Sequence, residues 1–230
     1  MSDEREVASR RVDDGAVVPV FPLPDLVFFP DTVIPLHIFE GRYREMIEDA
    51  SAGDNLVGMA LLRPGYEKDY EGSPEIHPVG TVGRIERLRS LEDGRFLLNL
   101  RGLARVVYSE IPSGKSYRTA SVSLRSEATV DEMDKDLESA KIDLLSTHAL
   151  LTRAIGPTGS PALAIDDKVP FAAAVNRACL DLPVAPDLRQ ELLVVDDIQE
   201  RRRRVSLLLD EILQHVLSDE GDTARGELPS

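Results

Sequence analysis

Residues 79–106 read VGTVGRIERLRSLEDGRFLLNLRGLARV, and this stretch decides the fold. Apolar runs over 79–88 and 96–108 flank a central turn, Glu92-Asp93-Gly94-Arg95. Asp-Gly between two apolar runs is among the strongest short-range signals of a β-hairpin. Glycines inside the runs indicate bulges or sharp bends, as in a strongly curled sheet. These glycines are Gly80, Gly83 and Gly102.

Further strand signals lie on both sides of this hairpin. VVPVFPLP (17–24) is apolar but contains three prolines, which predicts an edge strand that runs into an extended loop. TVIPLHIF (32–39), LVGMALL (56–62) and the alternating segment 120–124 predict three more strands. A 3.6-residue period predicts one inserted helix, whose apolar stripe is Phe39, Tyr43, Met46, Ile47 and Ala50. Residues 17–126 therefore form a predicted β-rich, barrel-like domain.

After Val130 the apolar period becomes helical. It predicts helices over 131–153, from Phe171 to Leu182, over 187–195 and from Ile198 to Val216. We therefore expect an α+β fold: a curled β-sheet pseudo-barrel with one inserted helix, followed by a C-terminal helical subdomain of about four helices over 127–217. Residues 1–16 are predicted to be a disordered lead-in, and residues 218–230 a frayed tail.

Composition excludes several classes of function. Lys and Arg number 27 against 41 Asp and Glu, so the net charge of −14 argues against a nucleic-acid partner. The chain has no apolar run near the roughly 20 residues that cross a bilayer, and its start has no secretory signal. One cysteine, Cys179, excludes an intrachain disulfide. These features predict a cytoplasmic protein without a membrane partner.

Catalytic signatures are missing from the sequence. Gly114-Lys115-Ser116 lacks the earlier glycine of a phosphate-binding loop, and the four histidines form no zinc motif. Cys179 lies in the apolar stripe of a predicted helix, as an inert core cysteine does. We predict no catalytic, cofactor-binding or metal-ligating residues and no cofactor. An enzyme with an unrecognised site is the least favoured alternative.

The run Arg201–Arg204 is the one dense group of cations. Four consecutive residues point most of the way round a helix, so they do not form a single patch. We interpret them as a solvated face that pairs with nearby acids, namely Asp196, Asp197 and Glu200. An anionic partner is the alternative.

Aromatic residues in two predicted loops form the candidate binding site. Phe28 and Phe29 lie in a proline-rich loop, and Tyr66 and Tyr70 lie in the polar segment 63–76. Aromatic side chains in loops beside a sheet edge suit peptide recognition. The alternative is that they cap the ends of the barrel.

Three segments resemble one known family. FPLPDLVFFPDTVIPLHIFEGRYREMI (21–47), the hairpin 79–106 and LDLPVAPDLRQELLVVDDIQERRRRVSLLLDEIL (180–213) are similar to the N-terminal substrate-binding domain of the ATP-dependent protease Lon. The resemblance covers roughly residues 17–217. It implies a pseudo-barrel followed by a helical bundle, and recognition of unfolded or exposed polypeptide.

The resemblance leads to a prediction of function. The chain ends at Ser230 without the ATPase and Ser-Lys peptidase domains of the full-length protease, so we expect a stand-alone, non-enzymatic module. It would bind polypeptide segments or a partner protein. The alternative is an adaptor or regulator that docks onto a separate protease or other complex through its helical half. The sequence does not predict the oligomeric state.

Overall fold

The structure is a computed structural model, and the chain divides into two compact units. It describes residues 12–68, 72–128, 130–156 and 168–226, with side chains up to residue 218. Contacts group Met1–Glu127 with Val184–Asp196, and Ala128–Pro183 with Asp197–Ser230. We call the first group the β unit and the second the helical unit.

The described residues contain six strands and five α-helices. The strands are β1 (Val17–Leu23), β2 (Val33–Ile38), β3 (Leu56–Leu61), β4 (Val79–Ser90), β5 (Phe96–Ile111) and β6 (Arg118–Leu124). The helices are α1 (Gly41–Ala52), α2 (Lys135–Ile155), α3 (Phe171–Asp181), α4 (Pro186–Val194) and α5 (Ile198–Gly226). This is the predicted α+β order of a sheet with one inserted helix followed by four helices.

The six strands form one mixed sheet whose hydrogen bonds run round a ring. The strand order is β2-β5-β4-β3-β1-β6, and β5 also pairs with β6. β1 and β3 are parallel, whereas the other pairings are antiparallel. The ring consists of β5, β4, β3, β1 and β6, and it closes where the second half of the long strand β5 pairs with β6. The first half of β5 pairs with β2, which lies at the edge. The predicted curled pseudo-barrel is confirmed, as a ring-like sheet and not a true barrel.

β1 is not the edge strand that its prolines predicted. It lies between β3 and β6 in the sheet. β6 pairs with residues 17–20 and β3 with residues 20–23, so each half of β1 has a partner strand on one side only. Proline is tolerated where no ladder hydrogen bond is required of its nitrogen, and this staggered pairing provides such positions for Pro19 and Pro22.

Residues 12–16 are packed against the β unit, although the sequence predicted them to be disordered. Residues 1–11 lie outside the described part of the chain. Val12 packs into the core of the β unit, and the backbone N–H of Gly15 donates to the Val122 carbonyl at 2.8 Å. The prediction of disorder is therefore wrong for residues 12–16.

The predicted helix ends also shift. α2 begins at Lys135, because the Asp134 side chain accepts a hydrogen bond from the Asp136 N–H and caps the helix. Met133, which the apolar period assigned to this helix, precedes it and is 88% exposed. α5 continues to Gly226, past residue 217, where the sequence predicts a frayed tail.

Close backbone packing explains two of the hairpin glycines. A Cβ on Gly80 would lie 2.3 Å from the Met59 carbonyl oxygen, and a Cβ on Gly102 would lie 2.3 Å from that of Phe29. The ring of Tyr108 fills the core beside Gly80, and its hydroxyl lies 3.1 Å from the Met59 oxygen. The predicted bends are present, since the β4–β5 register shifts between Val82 and Gly83.

We expect Gly102→Ala to lower the free energy of unfolding by about 1–3 kcal/mol, because the added methyl group overlaps backbone that cannot move freely. Gly53→Ala is the matched control, since its Cβ would meet no atom closer than 3.7 Å. Urea denaturation followed by circular dichroism measures both. Equal stability of the two variants would contradict the packing argument.

A buried arginine fastens α4 and the residues after it to the sheet. The guanidinium of Arg105, on β5, has no exposed surface. It donates to the carbonyls of Leu193 and Val195 at 2.9 and 3.0 Å, and it pairs with Asp196 at 3.1 Å. A carboxylate oxygen of Glu127 lies 3.0 Å from Arg105 Nε as an ion pair. The third predicted C-terminal helix therefore belongs to the β unit.

We expect Arg105→Met to lower the free energy of unfolding by about 3 kcal/mol, because it leaves buried carbonyls and a carboxylate without their cation. Arg101→Met is the control, since Arg101 forms an exposed ion pair with Glu86 worth less than about 1 kcal/mol. Urea denaturation of both variants gives the comparison. A loss no larger for Arg105→Met than for the control would mean that the buried guanidinium adds no stability.

The helical unit contains α2, α3 and α5, which pack on one another. Cys179 of α3 is fully buried as a free thiol, as predicted. Arg201 corrects the interpretation of the arginine run, because it is fully buried and donates to the Asn176 side chain at 2.8 Å. Arg203 and Arg204 are exposed and pair with Glu200, as predicted.

Candidate functional site

The structure contradicts the predicted exposure of Phe28 and Phe29. Their side chains are 2% and 0% exposed. The loop that carries them lies against the β4–β5 bend, where Phe28 Cε1 would come within 2.8 Å of a Cβ on Gly83. The hydroxyl of the buried Thr81 donates to the Phe28 carbonyl at 2.6 Å. Both rings are therefore core residues, close to the alternative that they cap the barrel.

The two predicted tyrosines do not provide the predicted peptide-binding site either. Tyr66 begins a short 3-10 helix, Tyr66–Lys68, and is half-buried. Tyr70 lies outside the residues that the structure describes. The four predicted aromatic residues are thus not brought together on a described surface.

A small cleft lies beside the end of the segment that carries Tyr66. Its volume is about 110 Å³, and it is lined by residues of β1, α1, the 72–74 loop and the β5–β6 hairpin. The lining residues include Arg42, Tyr43, Pro74, Lys115, Tyr117 and Arg118. Ligand pockets are typically about 300–1,000 Å³, so this cleft accommodates no more than one side chain.

The cations of this cleft are already paired with acids. Lys115 Nζ lies 2.9 Å from Asp49, Arg42 lies 3.0 Å from Glu40, and Arg118 binds Glu110 with both ends of its guanidinium. The Tyr117 hydroxyl donates to Asp49 at 2.6 Å. The cleft thus holds α1 to the β5–β6 hairpin and presents no uncompensated charge.

The same contacts shift two pKa values. The hydrogen bond from Tyr117, followed by that from Lys115, lowers the pKa of Asp49 below its ordinary 3.8. Burial and the neighbouring Asp49 carboxylate raise the pKa of Tyr117. A lowered carboxyl pKa stabilises the fold above about pH 3.8, and this stabilisation is lost as the pH falls through the lowered value.

We expect Tyr117→Phe to raise the pKa of Asp49 towards 3.8, because the main hydrogen bond to the carboxylate is removed. The acid midpoint of unfolding should move to higher pH for the same reason. A carboxyl-carbon NMR titration of Asp49 measures the first effect, with wild-type protein as the reference. An unchanged titration curve would exclude Tyr117 as the main cause.

The outer face of β2, β5 and β4 is a different kind of surface. Directly opposed residues on antiparallel strands point to the same face. One row across the three strands is His37, Leu97 and Arg89, and the next is Pro35, Asn99 and Glu86. The intervening residues, such as Ile34, Ile38, Leu98 and Leu100, are buried on the opposite face.

Large apolar side chains are exposed at one end of this outer face. Phe39 is 62% exposed, Leu97 is 39% exposed and Leu88 is 38% exposed. The rings of His37 and Phe39 are 5.9 Å apart, centroid to centroid. We call His37, Phe39, Leu88 and Leu97 the outer patch.

Sequence reasoning missed the outer patch. The helical period assigned Phe39 to the buried stripe of α1, but that helix begins at Gly41 after the N-cap Glu40. Tyr43, Met46, Ile47 and Ala50 are buried as predicted, whereas Phe39 ends the preceding strand segment and points to solvent. The available signal was the alternation of His37 and Phe39 in an apolar strand.

A bulge in β4 lies next to the patch. The β4–β5 register shifts between Glu86 and Arg89, and Arg87 within it has a φ of 51°. A left-handed conformation at a non-glycine residue is uncommon and locally strained. The bulge leaves the patch residue Leu88 and its neighbour Arg87 without partners in the regular ladder.

No group of three or more His, Cys, Asp or Glu side chains among the described residues is arranged to hold a metal ion. His148 is buried, and its Nε2 lies 3.2 Å from Asp181. None of the helices searched in the described chain is long and apolar enough to cross a membrane.

Comparisons with known proteins identify the family. The family model of the ATP-dependent protease La (LON) substrate-binding domain matches residues 17–211. The chain therefore belongs to this family, which is substrate-binding and non-catalytic.

Individual relatives and structures agree with this assignment. The Lon protease of Flavobacterium johnsoniae is 27% identical over 201 residues, which are 86% of this chain and 24% of that protein. The N-terminal domain of the Mycobacterium avium complex Lon protease superposes with a TM-score of 0.62 at 16% identity, covering 85% of this chain and 98% of that one. A Lon N-terminal domain protein from Xanthomonas campestris gives 0.59 at 24% identity, covering 84% and 98%.

The two structural matches show the shared fold. The chain spans about a quarter of the length of the curated Lon proteases that it matches. Activities and substrates of those whole proteins are therefore not attributes of this chain by similarity alone.

Proposed function

We propose that this protein binds extended, unfolded polypeptide segments without acting on them covalently, and that the outer patch makes the contact. The exposure of Phe39 and Leu97 carries the proposal, with His37 directly opposite Leu97 and its ring 5.9 Å from that of Phe39. Isolated exposed apolar residues are common, but an aromatic and two leucines grouped beside a strand edge are typical of a binding surface.

The edge position of β2 supports recognition of an extended chain. β2 pairs with β5 and with no second strand of the described sheet. Pro35 lies in the middle of β2 and has no N–H, so a peptide cannot form a full ladder along this edge. We therefore infer that side-chain contacts with the outer patch provide most of the affinity, and backbone pairing only a part.

The family supports the same class of ligand. Its description is a substrate-binding domain, and the matched relatives are Lon proteases, whose substrates are polypeptides. The adaptor alternative, docking through the helical unit, stays a prediction that these observations do not test.

We expect the double variant Phe39→Ala/Leu97→Ala to weaken peptide binding about tenfold or more, because it removes most of the exposed apolar area of the patch. The probe is a fluorescein-labelled twelve-residue peptide with the core Phe-Leu-Phe-Leu between serines. Fluorescence anisotropy measures its dissociation constant.

Leu124→Ala is the matched control, since Leu124 is a β-strand leucine of similar exposure, 44%, outside the patch. It should bind the peptide as tightly as wild-type protein. Circular dichroism and the melting temperature show that both variants are folded. If wild-type protein does not bind the peptide, the proposed function is wrong. If the two variants lose affinity equally, the outer patch is the wrong site.

A further inference from the structure

The outer patch has a charge opposite to that of the whole chain. The net charge is −14, yet the rows and bulge around the patch carry Arg84, Arg87, Arg89 and Arg101 against Glu86. The acids of the adjoining turns are Glu40, which pairs with Arg42, Asp93, which pairs with Arg95, and Glu92. Arg101 is paired with Glu86 at 2.8 Å. A locally cationic surface on an acidic protein attracts acidic groups of a ligand.

Two of these arginines border the apolar residues directly. Arg89 on β4 is directly opposite Leu97 on β5, and Arg87 is next to Leu88 in the bulge. Both are exposed, and neither makes an ion pair with the residues that the structure describes. Their guanidinium groups are therefore available to a ligand.

We propose that the outer patch selects apolar polypeptide segments that are flanked by acidic residues. This inference rests on the proposed function, because it names the substrate class of the same site. An extended peptide advances about 3.3 Å per residue. A segment with an apolar side chain on Leu97 therefore places its neighbouring carboxylates within reach of Arg89 or Arg87.

Local charge should outweigh the net charge at physiological salt. The Debye length at 0.15 M ionic strength is about 8 Å, so acids elsewhere on the protein are largely screened from the peptide. Contacts at ion-pair distance are screened much less. The net charge alone predicts the reverse preference, for basic flanks, so the two views give opposite results.

The test compares three peptides that share the core Phe-Leu-Phe-Leu and differ in their flanks. The flanks are two aspartates, two serines or two lysines on each side. We expect the aspartate peptide to bind wild-type protein about fivefold more tightly than the serine peptide, the size expected of two exposed ion pairs, and the lysine peptide to bind most weakly. The difference should shrink in 1 M NaCl.

The variant Arg87→Glu/Arg89→Glu should reverse the order of the aspartate and lysine peptides. It should leave the affinity for the serine peptide within about twofold, because the apolar contacts remain. Lys135→Glu/Arg153→Glu changes the net charge by the same amount on exposed residues of α2 and should keep the wild-type order. Melting temperatures show that both variants are folded.

The outcomes separate the two proposals. If no peptide binds wild-type protein, the proposed function fails. If all three bind equally, or the lysine peptide binds most tightly, polypeptide binding stands and the preference for acidic flanks is overturned. A reversal that the α2 variant also shows would assign the preference to net charge and would likewise overturn it.

Discussion

The buried guanidinium of Arg105 is the interaction on which the β unit depends most. A cation without solvent exposure is costly unless every donor meets an acceptor, and only a chain folded back onto β5 supplies carbonyls at the required positions. Asp196 is held between Arg105 and Arg125, which lowers the pKa of its carboxyl group chiefly through the hydrogen bond from Arg125. One residue of a central strand thus determines that α4, distant in sequence, completes the sheet domain.

The close packing inside the sheet is consistent with a proposed binding surface on its outer face. Tyr108 occupies the space beside Gly80, and Phe28 and Phe29 cover the bend at Gly102. Among the described residues these side chains fill the core beside the bend, and the cleft near Tyr117 is small. Apolar residues that do not fit this core remain on the outer face of β2 and β5. The proposed recognition of an extended chain there would use exposed apolar side chains and arginines rather than a deep pocket.

Local sequence signals failed at the positions where helices begin. Phe39 and Met133 both continue a helical period, yet both precede the first turn of their helix and are exposed. Periodicity detects which residues share a face but not where the helix begins; for α2 the hydrogen bond accepted by the Asp134 side chain decides that. Phe28 and Phe29 failed for the opposite reason. Nothing in a proline-rich loop indicates which distant strand will cover it.

The sequence by itself determined the class of fold, the hairpin over 79–106, the inserted helix and the family, because periodicity, turn residues and motif spacing are local properties. It also determined the excess of 41 acids over 27 cations, against which the arginines of β4 stand out. The tertiary structure decided the ring of strands, the membership of α4 in the β unit and the exposure of Phe39 beside Leu97. These depend on which residues meet across the sheet, and a strand register is set by long-range pairing and not by any single segment.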